Sequence, residues 1–209
     1  MDRHNTQKPR LAAENSVSKR IIAVARRHFF AFGIRSVTMD DLADELGMSK
    51  KTLYVYFPSK VALVEAVVLD KLREVEKDLD RIFDDSSSSS VWALHQLLAL
   101  TQRHLEEIRP PFVRDIRREA PKMFELVETR RREMIQRHFG KLIDEGREAG
   151  ILRKDIPSVL VIEMLLASIQ AIINPEKLTE LGLSPKNGFS AITTVILEGV
   201  LTETGRSKL

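Results

Sequence analysis

The sequence predicts an all-α fold, and three observations carry that prediction. Apolar residues recur at three- and four-residue spacing along nearly the whole chain, as in Leu63, Val67, Leu72, Val75, Leu79 and Ile82. No stretch alternates apolar and polar residues over strand length, and no Asn-Gly or Asp-Gly pair joins two such stretches as a hairpin turn. Glycines and prolines fall between the periodic segments, at Gly33, Gly47, Pro58, Pro110-Pro111, Pro121, Gly146, Pro175 and Pro185. They divide the chain into about nine helices: a three-helix helix–turn–helix unit followed by a larger helical body.

In order, a polar tail over 1–15 reads as mobile. Ser16 or Ser18 then caps a helix carrying Ile21, Ile22, Ala25, Phe29 and Phe30 and ending near Gly33. The helix–turn–helix occupies 38–57, and the unit as a whole 16–59. Pro58 stops its last helix and Ser59 caps a long one reaching about Phe83. DDSSSSS at 84–90 packs little and reads as a flexible connection. Helices follow at 92–107, at 112–120 and from Pro121 to near Gly146. The segment 156–173 is apolar almost all round, which requires burial on more than one side. Asn174-Pro175 ends it; Ser184 and Pro185 then start a last helix running to about Glu203. Residues 60–209 form the second domain.

Composition narrows the function. With 209 residues, 43% of them hydrophobic and 30% charged, the chain can bury a substantial core. The absence of cysteine excludes disulfides and thiolate chemistry and fits a reducing cytoplasm, the expected location. No run of about 18 apolar residues provides a spanning helix, so no membrane partner is expected. The polar N-terminus lacks the apolar core of a secretory signal. Net charge is +3, unevenly spread: residues 1–60 hold eleven Lys/Arg against six Asp/Glu, a surplus of five, and the rest twenty-two against twenty-four. A basic N-terminal quarter points to a polyanion, with a plain solvated surface as the alternative.

The stretch TMDDLADELGMSKKTLYVYFPSK (38–60) sharpens this. Thr38 is an N-cap, Asp40 and Asp41 sit where the helix dipole favours negative charge, and Leu42 and Leu46 face inward. Ala43 permits a close crossing, and Gly47 supplies the left-handed stop. Ser49 caps the second helix, whose Leu53 and Phe57 face the first. Its other side crowds Ser49, Lys50, Lys51, Thr52, Tyr54 and Tyr56 together. A helix entering the major groove presents such residues: lysines to phosphates or guanine acceptors, hydroxyls and phenols to phosphate oxygens. Thr38 and Lys60, at helix starts, are further phosphate candidates. Half-buried packing is an equal alternative for Tyr56.

This stretch resembles the DNA-binding domain of the tetracycline-repressor (TetR) family of bacterial transcriptional regulators. The likeness covers about 16–65 and includes the paired phenylalanines and Phe32-Gly33-Ile34 of the preceding helix. By position it implies backbone contacts for Thr38, Ser49, Tyr54, Tyr56 and Lys60, and base contacts for Lys50, Lys51 and Thr52. Many family members carry glycine or alanine near Lys51, so the second lysine bears on sequence preference. Beyond residue 65 the match is one of helix number and length.

One helix–turn–helix reads too few base pairs to find an operator, so a homodimer on palindromic double-stranded DNA is expected. The last two long helices offer its interface, through Ile162, Leu166, Ile169 and Ile173 on one and Phe189, Ile192, Ile196 and Val200 on the other. A monomer core is the alternative. The middle helices are expected to enclose a small, largely apolar effector. Its candidate walls are Trp92, His95, Leu98, Gln102 and Phe112, then Met123, Phe124, Val127, Met134 and His138, with Met164 and Ser168. Each is also an ordinary core residue by type. The tract ETRRREMIQR (128–137) reads as a solvated face, with an anionic effector as the alternative.

An enzyme is disfavoured: there is no phosphate-cradling glycine loop or nucleophile elbow, and the five histidines lack ligand spacing, so neither catalytic nor metal residues nor a cofactor are expected. A helical protein-binding adaptor would explain the helices but not the crowded outer side of 49–56. An effector-released repressor is the leading expectation, with a ligand-dependent activator on the same architecture as its variant.

Overall fold

The computed structural model describes residues 7–83 and 90–207, with side-chain surroundings from residue 15 and, after the break, from residue 92. Its helices are α1 (Gln7–Phe32), α2 (Met39–Leu46), α3 (Lys50–Tyr56), α4 (Lys60–Phe83), α5 (Ser90–Glu107), α6 (Pro110–Glu119), α7 (Pro121–Glu148), α8 (Ser158–Ile172), α9 (Pro175–Leu181), α10 (Pro185–Val200) and α11 (Glu203–Arg206). Among the described residues, extended pairing is confined to one antiparallel bridge between Leu152 and Leu201. The fold is all-α, as the periodicity predicts.

Three details differ from the sequence reading. Helix α1 begins at Gln7, so residues 7–15 are helical and Ser16 and Ser18 lie inside the helix instead of capping it. The stretch Leu11-Ala12-Ala13-Glu14 consists of strong helix formers, and Pro9 falls in the first turn, where no amide hydrogen is needed. Helices α9 and α11 raise the count to eleven among the described residues. Asn174-Pro175 ends α8 and also starts α9: the Asn174 side chain accepts from the Lys177 amide, Pro175 takes the first helical position, and Gly182 closes the helix at φ 65°. The connection expected over 84–90 lies, apart from Ser90, outside the described residues.

One core closes the N-terminal unit. Ile21, Ala25 and Phe29 of α1, Leu42 of α2 and Leu53 of α3 are fully buried, and Leu63 and Val67 of α4 complete the layer. Helix α6 joins it from the other side, with Phe112 edge-on to Phe30 at 4.7 Å between ring centres. Polar links reinforce that contact. The Arg109 amide donates to the Phe30 carbonyl at 3.0 Å, and the Arg35 amide donates to the buried Asp115 carboxylate at 2.9 Å. A side chain at Gly33 (φ +85°) would lie 2.6 Å from that carboxylate, so the α1–α2 corner needs glycine twice over.

Helices α5, α7, α8 and α10 form the second body, where Leu165, Ile169, Phe189 and Ile192 join α8 to α10. An ion network ties α1, α4 and α5. Arg26 binds Glu74 and, at 2.6 Å, Glu107; buried Lys71 binds Glu107 and donates to His104 Nδ1 at 2.7 Å. A buried ammonium needs such partners, because stripping one away leaves an uncompensated charge. Among the described residues, no single helix is long and apolar enough to cross a membrane.

Candidate nucleic-acid interface and effector cavity

The α2–α3 pair divides into an inner and an outer side as the stretch predicts. Thr38 forms a full capping box: its hydroxyl oxygen accepts from the Asp41 amide at 3.1 Å, and its own amide donates to Asp41 Oδ2 at 2.9 Å. Its hydroxyl hydrogen also turns to Asp41, at 2.7 Å. These bonds hold the Asp41 carboxyl below its ordinary range, the Thr38 side chain contributing most. Gly47 (φ 64°) ends α2 with its amide on the carbonyls of Ala43 and Asp44, and Arg20 of α1 caps the Leu46 carbonyl at 2.9 Å. Ser49 caps α3 by accepting from the Thr52 amide at 3.0 Å. Leu53, fully buried, anchors this seven-residue helix.

Ser49, Lys50, Lys51, Thr52 and Tyr54 are all exposed. Lys50 is bridged to Asp40 at 2.7 Å, and the hydrogen bond to that carboxylate raises its pKa. Tyr56 is half-buried against the unit's core, which favours packing for it. Lys60 is half-buried at the start of α4; burial lowers its pKa, opposed by Asp115, Glu119 and Asp41. The sequence reading passed over Val55, which is 77% exposed on α3. Its valine in a polar row was the available signal, since an apolar side chain can contact a thymine methyl.

Two adjoining apolar cavities, of about 230 and 220 Å³, lie between α4, α5, α6, α7 and α8. Five of the predicted wall residues line them: Phe112 and Phe124 the first, Met134 and His138 the second, Val127 both. The others do not. Trp92, His95 and Met164 are on the outside, Leu98 lines a separate space of about 50 Å³, and Gln102, Met123 and Ser168 line neither cavity. The reason is the rotation of α5, whose inner row is Leu97, Leu100, Thr101, His104 and Leu105. Trp92 suggested a face about one residue out of phase. The row was legible, since those positions follow helical spacing. Lys71, Leu72 and Val75 of α4 were missed as cavity walls because α4 also reads as an ordinary amphipathic helix.

Glu74, Asp78 and His104 bring ligand atoms within 4.8 Å of one another. Cations already face the two carboxylates: Arg26 and Lys71 at Glu74, Arg81 and Arg103 at Asp78. Burial first, then Lys71, lowers the His104 pKa. With four cations around it, the cluster is a charge network and a poor divalent site.

The interface positions need correction. Ile162, Leu166, Ile169, Phe189, Ile192 and Val200 are buried within the chain's own core, and Ile173 and Ile196 are half-buried there. The side expected to meet a second copy packs into the chain's own core instead, and the sequence could not tell the two apart because α8 is apolar all round, which leaves periodicity without contrast. The apolar side left outside carries Val159 (69% exposed), Leu160 (50%) and Met164 (53%) on α8 and Val195 (73%) on α10.

Comparison with known proteins bears on this arrangement. Residues 21–67, from the middle of α1 into α4, match the family model described as bacterial regulatory proteins, tetR family. The HTH-type transcriptional regulator YvaF of Bacillus subtilis is 26% identical over 193 residues, covering 90% of this chain and 97% of that protein. The HTH-type transcriptional repressor KstR2 of Mycolicibacterium smegmatis is 28% identical over 148 residues, covering 68% of this chain and 70% of that protein. Among solved structures, a transcriptional regulator from Saccharomonospora viridis in complex with choline superposes with a TM-score of 0.72 at 19% identity, covering 90% of this chain and all of that one. The buried inner side of α2 and α3, their exposed hydroxyl-lysine-tyrosine row and the matched segment agree: residues 21–67 form a DNA-binding unit of the tetR family of bacterial regulatory proteins, in a chain similar over most of its length to transcriptional regulators.

Proposed function

We propose that the protein is a homodimeric repressor that binds a palindromic operator through α3 and leaves it when a small, largely apolar effector enters the cavity. The observation that carries this reading is the outer side of α3: Ser49, Lys50, Lys51, Thr52 and Tyr54 are exposed together while Leu53 is fully buried. Lysines and hydroxyls so placed suit phosphates and base edges, and a seven-residue helix needs none of them for its own stability. The exposed apolar side of α8 and α10 supports pairing with a second copy, which would present two recognition helices about 34 Å apart. Repression is supported by relatives such as KstR2, named a repressor, and a small-molecule site by the choline held by the Saccharomonospora viridis regulator.

Two elements couple the cavity to the reading head. Helix α4 lines the cavity with Val68, Lys71 and Leu72 and begins at Lys60, beside α3. Helix α6 lines it with Phe112 and Ile116, while its Asp115 holds the α1–α2 corner. An effector that fits only a displaced α4 shifts the dimer away from the spacing that the operator requires, by as much as its affinities for the two states differ. A gel-shift assay tests the reading: a specific palindromic duplex competes, an unrelated duplex does not, and Lys60→Ala weakens binding to both while flattening the log–log salt dependence by about one unit. Unchanged affinity and slope in Lys60→Ala would refute the assigned docking.

A further inference from the structure

The two cavities share Lys71, Leu72, Val127, Arg131 and Ile173 among their walls, so they adjoin as two lobes with the cations Lys71 and Arg131 at the waist between them. The inner lobe is walled mainly by Val75, Leu79, Leu97, Leu100 and Phe139. The outer lobe reaches the surface at the exposed Arg117 and Gln170.

The charges at the waist are not equally satisfied. Lys71 is answered by Glu107 and Glu74, and one terminal nitrogen of Arg131 by Glu128. Arg131 Nε, however, is buried without a hydrogen-bond partner among the described residues. A buried donor left unmade costs stability, and an arriving acceptor relieves that cost. Arg117 lies near enough to act electrostatically on Arg131, stacks over the Phe124 ring at 4.7 Å and, among the described residues, has no carboxylate within ion-pair distance. The other buried side-chain nitrogen without a partner among the described residues, His104 Nε2, has Asp78 at 3.5 Å. The unmet demand therefore lies at Arg131 and Arg117, and it is for an acceptor with negative charge.

We propose that the effector is a small amphiphilic carboxylate. Its anionic head meets Arg131 Nε beside Arg117, and its hydrocarbon body fills the inner lobe. At about 220 Å³ the inner lobe takes about seven groups of water or methylene size. A guanidinium pairs with a carboxylate by directed, charge-assisted bonds. A cationic ligand would face Lys71, Arg117 and Arg131, against Glu128 as the one carboxylate among the described walls of the outer lobe. This assignment rests on the cavity being the effector site of the regulator proposed above.

Calorimetric titration of the full-length protein with octanoate, octanol and octyltrimethylammonium tests the proposal. Octanoate should bind at least tenfold more tightly than octanol, and the cation least. Arg131→Gln should lower octanoate affinity to that of octanol and leave octanol unchanged; retained octanol binding also shows that the variant is folded. Arg117→Gln, at an exposed position, should weaken octanoate several-fold with octanol again unaffected. Equal binding of octanoate and octanol, preference for the cation, no binding of any probe, or octanoate affinity untouched in both variants would each overturn it. Operator binding is measured separately without ligand. A protein that binds its operator but shows no carboxylate preference refutes the ligand class and leaves the regulator standing.

Discussion

Lys50 and Asp40 hold each other at 2.7 Å, with about half of each side chain exposed. A lysine committed to an internal carboxylate is a weaker phosphate ligand, and the carboxylate itself repels the DNA backbone. Asp40→Asn should therefore raise operator affinity several-fold at low salt and steepen its salt dependence, measured by fluorescence anisotropy across a salt series. The cost to α2 is small, since a first-turn carboxylate contributes about 0.3–1 kcal/mol through the helix dipole. Individual residues of α3 were legible in the sequence because the helix is short and strongly two-sided. The Lys50–Asp40 bridge was not, because it spans the turn between two helices and depends on their crossing angle.

Elements α1, α4 and α5 are joined by charges, and their stability should follow pH accordingly. Hydrogen bonding from Arg26 holds the Glu74 carboxyl down at about 2, and Glu107 is lowered too, where bonds from Arg26 and Lys71 outweigh the burial that raises it. A carboxyl whose folded pKa is depressed adds stability above its unfolded value, and that stability is lost as the pH falls towards the folded one. Burial is the main cause that lowers the pKa of both His104 and His138, so acidification below the unfolded histidine range near 6.5 favours the unfolded chain. The melting temperature should thus fall in two stages, first below about pH 6.5 and again below about 4.5. In Glu74→Gln the second stage should shrink. The elements themselves were largely legible, since Gly47, Pro121, Ser184 and Pro185 punctuate them in sequence. Helix α9 was not, because one Asn-Pro pair both stops α8 and starts the next helix. The rotation of α5 was mistaken because Trp92 is large and aromatic, yet the helix turns it outward at 41% exposure.

At the scale of the whole molecule, Val159, Leu160 and Met164 of α8 and Val195 of α10 leave apolar side chains exposed on two helices that pack together. Exposed apolar side chains in such number are a usual mark of an interface, and the proposed homodimer would cover them. Leu160→Glu should give monomers in sedimentation analysis with little change in melting, because the side chain is half-exposed in the single chain. Operator affinity should then fall at least a hundredfold, as each α3 is left to bind alone. The interface residues expected from the sequence lie on sides that the chain's own core covers, because an all-apolar helix has no contrast from which to read direction.

The division of α3 into a structural inner side and a DNA-gripping outer side can be measured directly, because the chain has no cysteine. A single thiol is introduced by Thr52→Cys, or by Glu148→Cys at the exposed end of α7, and its alkylation rate is followed with and without the operator duplex recovered from bound genomic DNA. The account predicts at least tenfold protection for Thr52→Cys and none for Glu148→Cys. Full operator binding with equal alkylation rates at the two positions would contradict it.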